Sequence, residues 1–141
     1  MTATSRETGQ VLAFFALVLP IVLLPIAGYA VDATIVASGE AGLQAATAQA
    51  AETAAQQLST GAIRAGGVLA LDPAAAKRAA SRTLVAEEPG VRLDSFTIHG
   101  LEVTIVTSEP VTLPISVFTR AVTLHGSATA RLVAGYDSPS H

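Results

Sequence analysis

The chain has 141 residues, half of them apolar, only 13% charged and with a net charge of −3. That charged fraction is about half of what a soluble globular domain carries, and with a mean hydropathy of +0.52 it points to a membrane-inserted segment. From Gly61 onward seven Lys/Arg face seven Asp/Glu, so there is no basic footprint for nucleic acid; the absence of cysteine removes disulfides, thiolate catalysis and Cys-type zinc sites.

Residues 1–10 form a short polar N-terminus. Residues Val11 to Val31 then read VLAFFALVLPIVLLPIAGYAV, with no charge and 13 Leu, Ile, Val or Phe. As a helix this run spans about 30 Å, the thickness of a bilayer's hydrocarbon core. At roughly −0.3 to −0.6 kcal/mol per large apolar residue, insertion gains at most about 4–8 kcal/mol. Pro20 and Pro25 each remove a hydrogen bond and predict a kink, which membrane helices tolerate. Arg6 and the terminal amine precede the run; Asp32 and Glu40 follow it, with no Lys or Arg before Arg64. The positive-inside rule then predicts a single-pass protein of the cytoplasmic membrane, with its N-terminus in the cytoplasm and residues 32–141 outside. Two other readings compete. One is a cleaved secretory signal with small residues Gly28 and Ala30, releasing a small α+β binding module after Ala30, although the run exceeds the usual signal core. The other is a buried helix of a soluble protein, which a segment apolar on every side fits poorly.

Asp32 to Thr60 is rich in Ala, Gln and Glu, free of Pro, and predicts a helical stalk continuous with the membrane span, with Gly61 as its stop. Ile35, Gly39, Gly42, Leu43, Ala46, Ala50, Ala54 and Leu58 recur at spacings of three and four. This stripe of mostly small residues permits close approach of another helix or a sheet. It serves equally for packing on sister subunits and for packing on the chain's own C-terminal domain.

Residues 61–141 predict a small α+β domain. Gly61 to Gly67, with three Gly, reads as a connection. Asp72-Pro73 starts a helix running to about Glu87, with Ala76, Ala80 and Leu84 as its buried stripe and Lys77, Arg78 and Arg82 elsewhere on it, a solvated face or alternatively a dock for acidic lipid heads or a partner. Pro89-Gly90 ends it. Three strands follow by their period of two: Val91 to His99 with a bulge near Asp94 and Ser95, Leu101 to Thr107, and Arg120 to Val133. Gly100 supplies a tight turn between the first two. Val111 to Thr119, flanked or interrupted by Pro110 and Pro114, reads as a loop rather than a central strand. Its Leu113, Ile115, Val117 and Phe118 are a candidate docking patch for a partner or the membrane surface, or alternatively fold back on the core. The expected architecture is therefore a long N-terminal transmembrane helix, an Ala-rich stalk, and a two-layer unit of one helix on a three-stranded antiparallel sheet.

Chemistry is sparse. His99, His125 and His141 are scattered, with no H-E-x-x-H spacing, no G-x-S-x-G and no phosphate-binding G-x-x-x-x-G-K-[ST]. Glu87-Glu88 is an adjacent pair at a helix end whose side chains diverge. No enzyme activity, cofactor or metal site is expected.

Several short motifs carry a resemblance: Phe15-Ala16-Leu17-Val18-Leu19-Pro20, Gly28-Tyr29-Ala30-Val31-Asp32 and Leu43-Gln44-Ala45-Ala46, preceded by Gly9. This pattern resembles the N-terminal region of TadE/TadG-like proteins of the tight-adherence (Flp) pilus system and covers roughly the first 60 residues. Leu71 to Ala76 and Ser127 to Leu132 are similar to that family's short outer domain. The resemblance implies a pseudopilin-like envelope protein that assists pilus assembly or secretion, with membrane lipid and other pilin-like or machinery subunits as partners. Processed pseudopilins are cut after a Gly followed by Glu at the fifth position. Gly9 and Gln10 are the candidate processing pair here, but the fifth residue is Phe14, which favours an uncleaved anchor.

Overall fold

The computed structural model describes residues 4–64, 66–67, 69–115 and 120–132. One helix, α1 (Thr4–Ala55), takes up the apolar segment and most of the stalk without a break and includes both Pro20 and Pro25. It is followed by a short α2 (Thr60–Arg64), α3 (Pro73–Glu87) and three strands, β1 (Arg92–His99), β2 (Glu102–Thr112) and β3 (Ala121–Arg131). The strands form one antiparallel sheet in the order β1-β2-β3.

The stalk helix stops at Ala55, short of the expected Thr60, because the chain turns to pair with the segment before α3. The Ser59 amide donates to the Ala70 carbonyl (2.8 Å), the Asp72 amide donates to Gln57 (2.9 Å), and Leu58 bridges Leu71. The Gly61–Gly67 stretch is not wholly a connection, since its first residues belong to α2. Helix α3 begins as expected: the Asp72 carboxylate accepts from the amides of Ala74 and Ala75, both at 3.0 Å, and Pro73 needs no partner.

The β1–β2 register slips between Leu93 and Ser95, as the phase change in the sequence indicates. The hairpin turns at Gly100, whose φ of 63° suits a residue without a Cβ. Strand β2, in contrast, runs five residues past Thr107 and through Pro110, although it is the central strand. The ladder explains this. The Leu113 amide donates to the Arg120 carbonyl (2.9 Å), and antiparallel pairs alternate between bonded and non-bonded. Pro110↔Thr123 therefore falls on a non-bonded pair, and the absent N–H would face the β1 side. β1 has already ended there, its last pair being Arg92↔Ser108.

The helical layer has two members. Helix α1 packs on β3, β2 and α3, while α3 meets the sheet only at β1. The core joins Ala46, Ala50, Ala51, Ala54 and Ala55 of α1, Leu71, Ala76, Ala80 and Leu84 of the α3 region, and Val103 and Ile105 of β2. The stalk is thus part of the small domain's core rather than a spacer. Alanine suits this role, because its small side chain lets the two helices and the sheet approach closely.

Candidate functional site: the two halves of the long helix

Helix α1 divides into two halves of opposite character. Over residues 11–31 its large apolar side chains are exposed except for the half-buried Val18, from Leu12 (71%) through Leu24 (70%) to Val31 (46%). This is the single described helix long and apolar enough to cross a membrane. Gly9 and Gln10 lie at its start, both exposed. The other half is progressively covered by the chain itself. Leu43, Ala46, Ala50 and Ala54 of the stripe are buried; Ile35, Gly39 and Gly42 are half-buried along the same helix. Leu58, the last stripe residue, lies beyond the helix in the bridge to Leu71, also half-buried.

The closest approach is at Gly126 of β3, where a Cβ would stand 2.8 Å from Thr47 Oγ1, 2.9 Å from Thr107 Oγ1 and 3.2 Å from Leu43 Cγ. Gly39 on the helix plays the reciprocal part, with Leu124 Cδ1 3.0 Å from where its Cβ would lie. At the same level the buried hydroxyls of Thr47 and Thr107 are 2.6 Å apart. Thr47 donates to the Leu43 carbonyl (2.7 Å), so Thr107 is the donor across the gap.

Gln44 joins the helix to the sheet edge. Its Nε2 donates to the Ser127 carbonyl (2.8 Å) and its Oε1 accepts from the Ser127 amide (3.4 Å). Val106↔Ser127 is a non-bonded pair of the ladder, so both Ser127 groups point outward from the open edge of β3. The carboxamide occupies the place of a further strand there and blunts that edge.

These contacts fix direction as well as distance. Moving along α1, Gly39 meets Val111 and Leu124, Thr47 meets Thr107, and Ala55 shares a cleft with Ala130. β2 therefore runs antiparallel to α1, and the β2–β3 loop is the end of the domain nearest the apolar half. Asp32, the first residue after that half, is buried, and its Oδ1 accepts from the Ile115 amide (3.3 Å). Leu113 is 7% exposed, facing a cleft of ≈ 320 Å³ shared with Tyr29, Asp32 and Val36, whereas Ile115 is 46% exposed. The candidate docking patch is therefore split: Leu113 turns in and Ile115 turns out. Val117 and Phe118 lie outside the described residues.

Among the described residues no group of three His, Cys, Asp or Glu is placed to hold a metal ion. His99 and His125 are exposed, and His141 lies outside the described residues. Glu87 is exposed and accepts from Gln49 Nε2 (3.2 Å). Glu88 is half-buried instead, and its charge acts on Glu109, whose carboxyl is pushed above the usual range by desolvation and then by Glu88. Glu109 Oε2 is buried without a hydrogen-bond partner.

No family model, curated protein or solved structure matches the chain. The site is therefore defined by its own geometry: an apolar helix long enough to span a bilayer, continuous with a helix locked into a small α+β domain.

Proposed function

We propose that this chain is a structural, non-enzymatic subunit of a bacterial pilus-assembly or secretion apparatus of the TadE/TadG-like kind. It is held in the cytoplasmic membrane by residues 11–31, with its N-terminus inside and its small domain outside. The observation that carries this reading is the continuity of α1. The exposed apolar half and the buried alanine half are one 52-residue helix, so a force or a position imposed in the lipid passes directly to the outer domain. Flanking charge supports the orientation, with Arg6 before the span and Asp32 and Glu40 after it. Since Leu43, Ala46, Ala50 and Ala54 are used within the chain, lateral packing on pilin-like neighbours falls to the other side of the helix. Ala37, Ala41 and Ala45 are exposed there at spacings of four.

The decisive experiment is a chromosomal deletion in the source bacterium, complemented by a chain carrying a photo-crosslinking residue in place of Ala41. Loss of surface appendages on deletion, and adducts to pilin-like membrane subunits on illumination, are expected. Normal appendages, with no adduct from an intact anchor, overturn the proposal.

A secreted binding module released after Ala30 is the second reading. One observation favours it: the Asp32–Ile115 hydrogen bond and the buried helix residues from Leu43 onward all lie after Ala30, so removal of residues 1–30 takes away only the Tyr29 side of the Leu113 cleft. The N-terminus of the mature chain separates the two readings.

A further inference from the structure

We propose that the basic outer face of α3 docks on the long helix of a second copy of this chain standing beside it in the same membrane, where Arg78 and Arg82 meet that copy's Glu52. This contact, which rests on the anchor reading above, makes the chain one of its own lateral neighbours.

Charge distinguishes the two faces. Arg78, Arg82 and Val85 follow one another on α3 at spacings of four and three, so they share one face, turned away from the buried Ala76, Ala80 and Leu84. All three are exposed, Val85 by 67%. Among the described residues neither guanidinium has an acidic partner, and Arg82 Nε donates to the Arg78 carbonyl of its own helix (3.3 Å). The long helix carries the opposite sign. From Asp32 to Thr60 its charges are Asp32, Glu40 and Glu52, with no Lys or Arg. Glu52 is exposed and follows Ala45 and Ala48 at spacings of seven and four, on one face. The two faces lie at opposite sides of the domain. Helix α3 meets the sheet only at β1, whereas Glu52 shares a cleft with Ala130, Arg131 and Leu132 at the end of β3. Strand alternation places Arg131 on the sheet's other face, opposite Glu102, so it does not answer Glu52.

Height makes the match. Helix α3 runs antiparallel to α1, with the Asp72 amide on the Gln57 carbonyl at one end and Gln49 Nε2 on the Glu87 carboxylate at the other. Measured from that second contact and away from the apolar half, Arg82 lies about 7 Å along α3 and Glu52 about 4 Å along α1, within one helical turn of the same height. Two copies anchored through residues 11–31 stand in the same direction at the same depth, so a group on one meets what lies at its own height on the other. Lipid is out of reach, since Gln49 is about 27 Å along the helix beyond Val31. Alanine at positions 45 and 48 leaves room for Val85 to approach. Each copy keeps one of its two faces free, so the contact is heterologous and extends into a row or closes into a ring.

The chain has no cysteine, so single cysteines report the contact. Full-length Val85→Cys and Ala48→Cys chains carrying different tags are co-expressed in bacterial cells, and the membranes are treated with a short bis-maleimide. A mixed adduct is expected. Arg78→Glu with Arg82→Glu in the Val85→Cys chain should lower its yield roughly tenfold, because like charges then face each other. Glu52→Arg in the Ala48→Cys chain should restore it. Melting temperatures in detergent check folding; should Ala48→Cys lower its own, the exposed Ala45→Cys takes its place. Folded, carbonate-resistant chains that give no mixed adduct overturn this docking and leave the anchor intact. A carbonate-soluble chain overturns both. An adduct indifferent to the charge reversals, adducts only between two Val85→Cys chains, or capture of a different envelope protein by position 85 alone each give the face another occupant and overturn the docking too.

Discussion

Thr47 of the long helix and Thr107 of the central strand share a buried hydrogen bond of 2.6 Å, 60 residues apart in sequence. The bond fixes the helix on the sheet at one height, because it is a polar contact beside an apolar, alanine-rich core. Removing one partner takes this bond from the other: Thr47 then keeps only the Leu43 carbonyl, and Thr107 only a long contact of 3.5 Å to the Gly126 carbonyl. Thr47→Val and Thr107→Val are each expected to cost about 1–3 kcal/mol. The double variant should cost less than the sum, since two apolar groups of the same shape need no partner. Denaturant unfolding of the four chains in detergent micelles gives the cycle; strict additivity would deny the coupling.

Gly126 should not tolerate a side chain. Its Cβ would stand 2.8 Å from Thr47 Oγ1 and 2.9 Å from Thr107 Oγ1, and both hydroxyls are held in place. Gly126→Ala is expected to destabilise by about 1–3 kcal/mol through overpacking. Gly61→Ala, whose Cβ has nothing nearer than Ser59 Oγ at 3.9 Å, serves as control and should leave the unfolding midpoint almost unchanged.

Gln44 protects the open edge of β3. In Gln44→Ala the Ser127 amide and carbonyl lose their partners and face solvent. Hydrogen exchange at Ser127 is expected to accelerate, while Gly126, on a bonded pair with Thr107, stays protected. Self-association through the bared edge should rise, readable by sedimentation in detergent. Unchanged exchange at Ser127 would show that the carboxamide contributes nothing there.

Glu109 makes the fold pH-sensitive in a definite direction. Its pKa is raised in the folded chain, by desolvation first and by the Glu88 charge second. The native state therefore binds a proton more readily than the unfolded one. The cost of the charge is fully present above the folded pKa, and it disappears as pH falls below the unfolded value near 4.5. Glu109→Gln should raise the melting temperature at pH 7 and give little gain at pH 3. An equal gain at both pH values would assign the effect to something other than charge.

Much of this fold was legible in the sequence because the strong signals are local. The uncharged run from Val11 to Val31, the Asp72-Pro73 helix start, the phase slip at Asp94 and the alternation of Val122, Leu124, Ala128 and Ala130 each depend on near neighbours. What sequence reasoning missed depends on partners far along the chain. Pro110 argued against a central strand; it is tolerated because β1 has ended where its N–H would have pointed. The stripe at Leu43, Ala46, Ala50 and Ala54 fitted a neighbouring subunit as well as the chain's own sheet. Only the placement of Gly126 and Thr107 opposite it distinguishes them. Gln44 and Asp32 gave no signal of their own, since a side chain that holds a backbone amide 83 residues away leaves no periodic trace.

The central claim is that residues 11–31 remain attached and remain in lipid. Intact mass and N-terminal sequencing of the chain recovered from carbonate-washed membranes of cells that express it test it most directly. The account predicts a carbonate-resistant chain that retains this segment, with its N-terminus intact or, if a prepilin-type peptidase acts after Gly9, beginning at Gln10. A carbonate-soluble chain beginning at Val31 would contradict it.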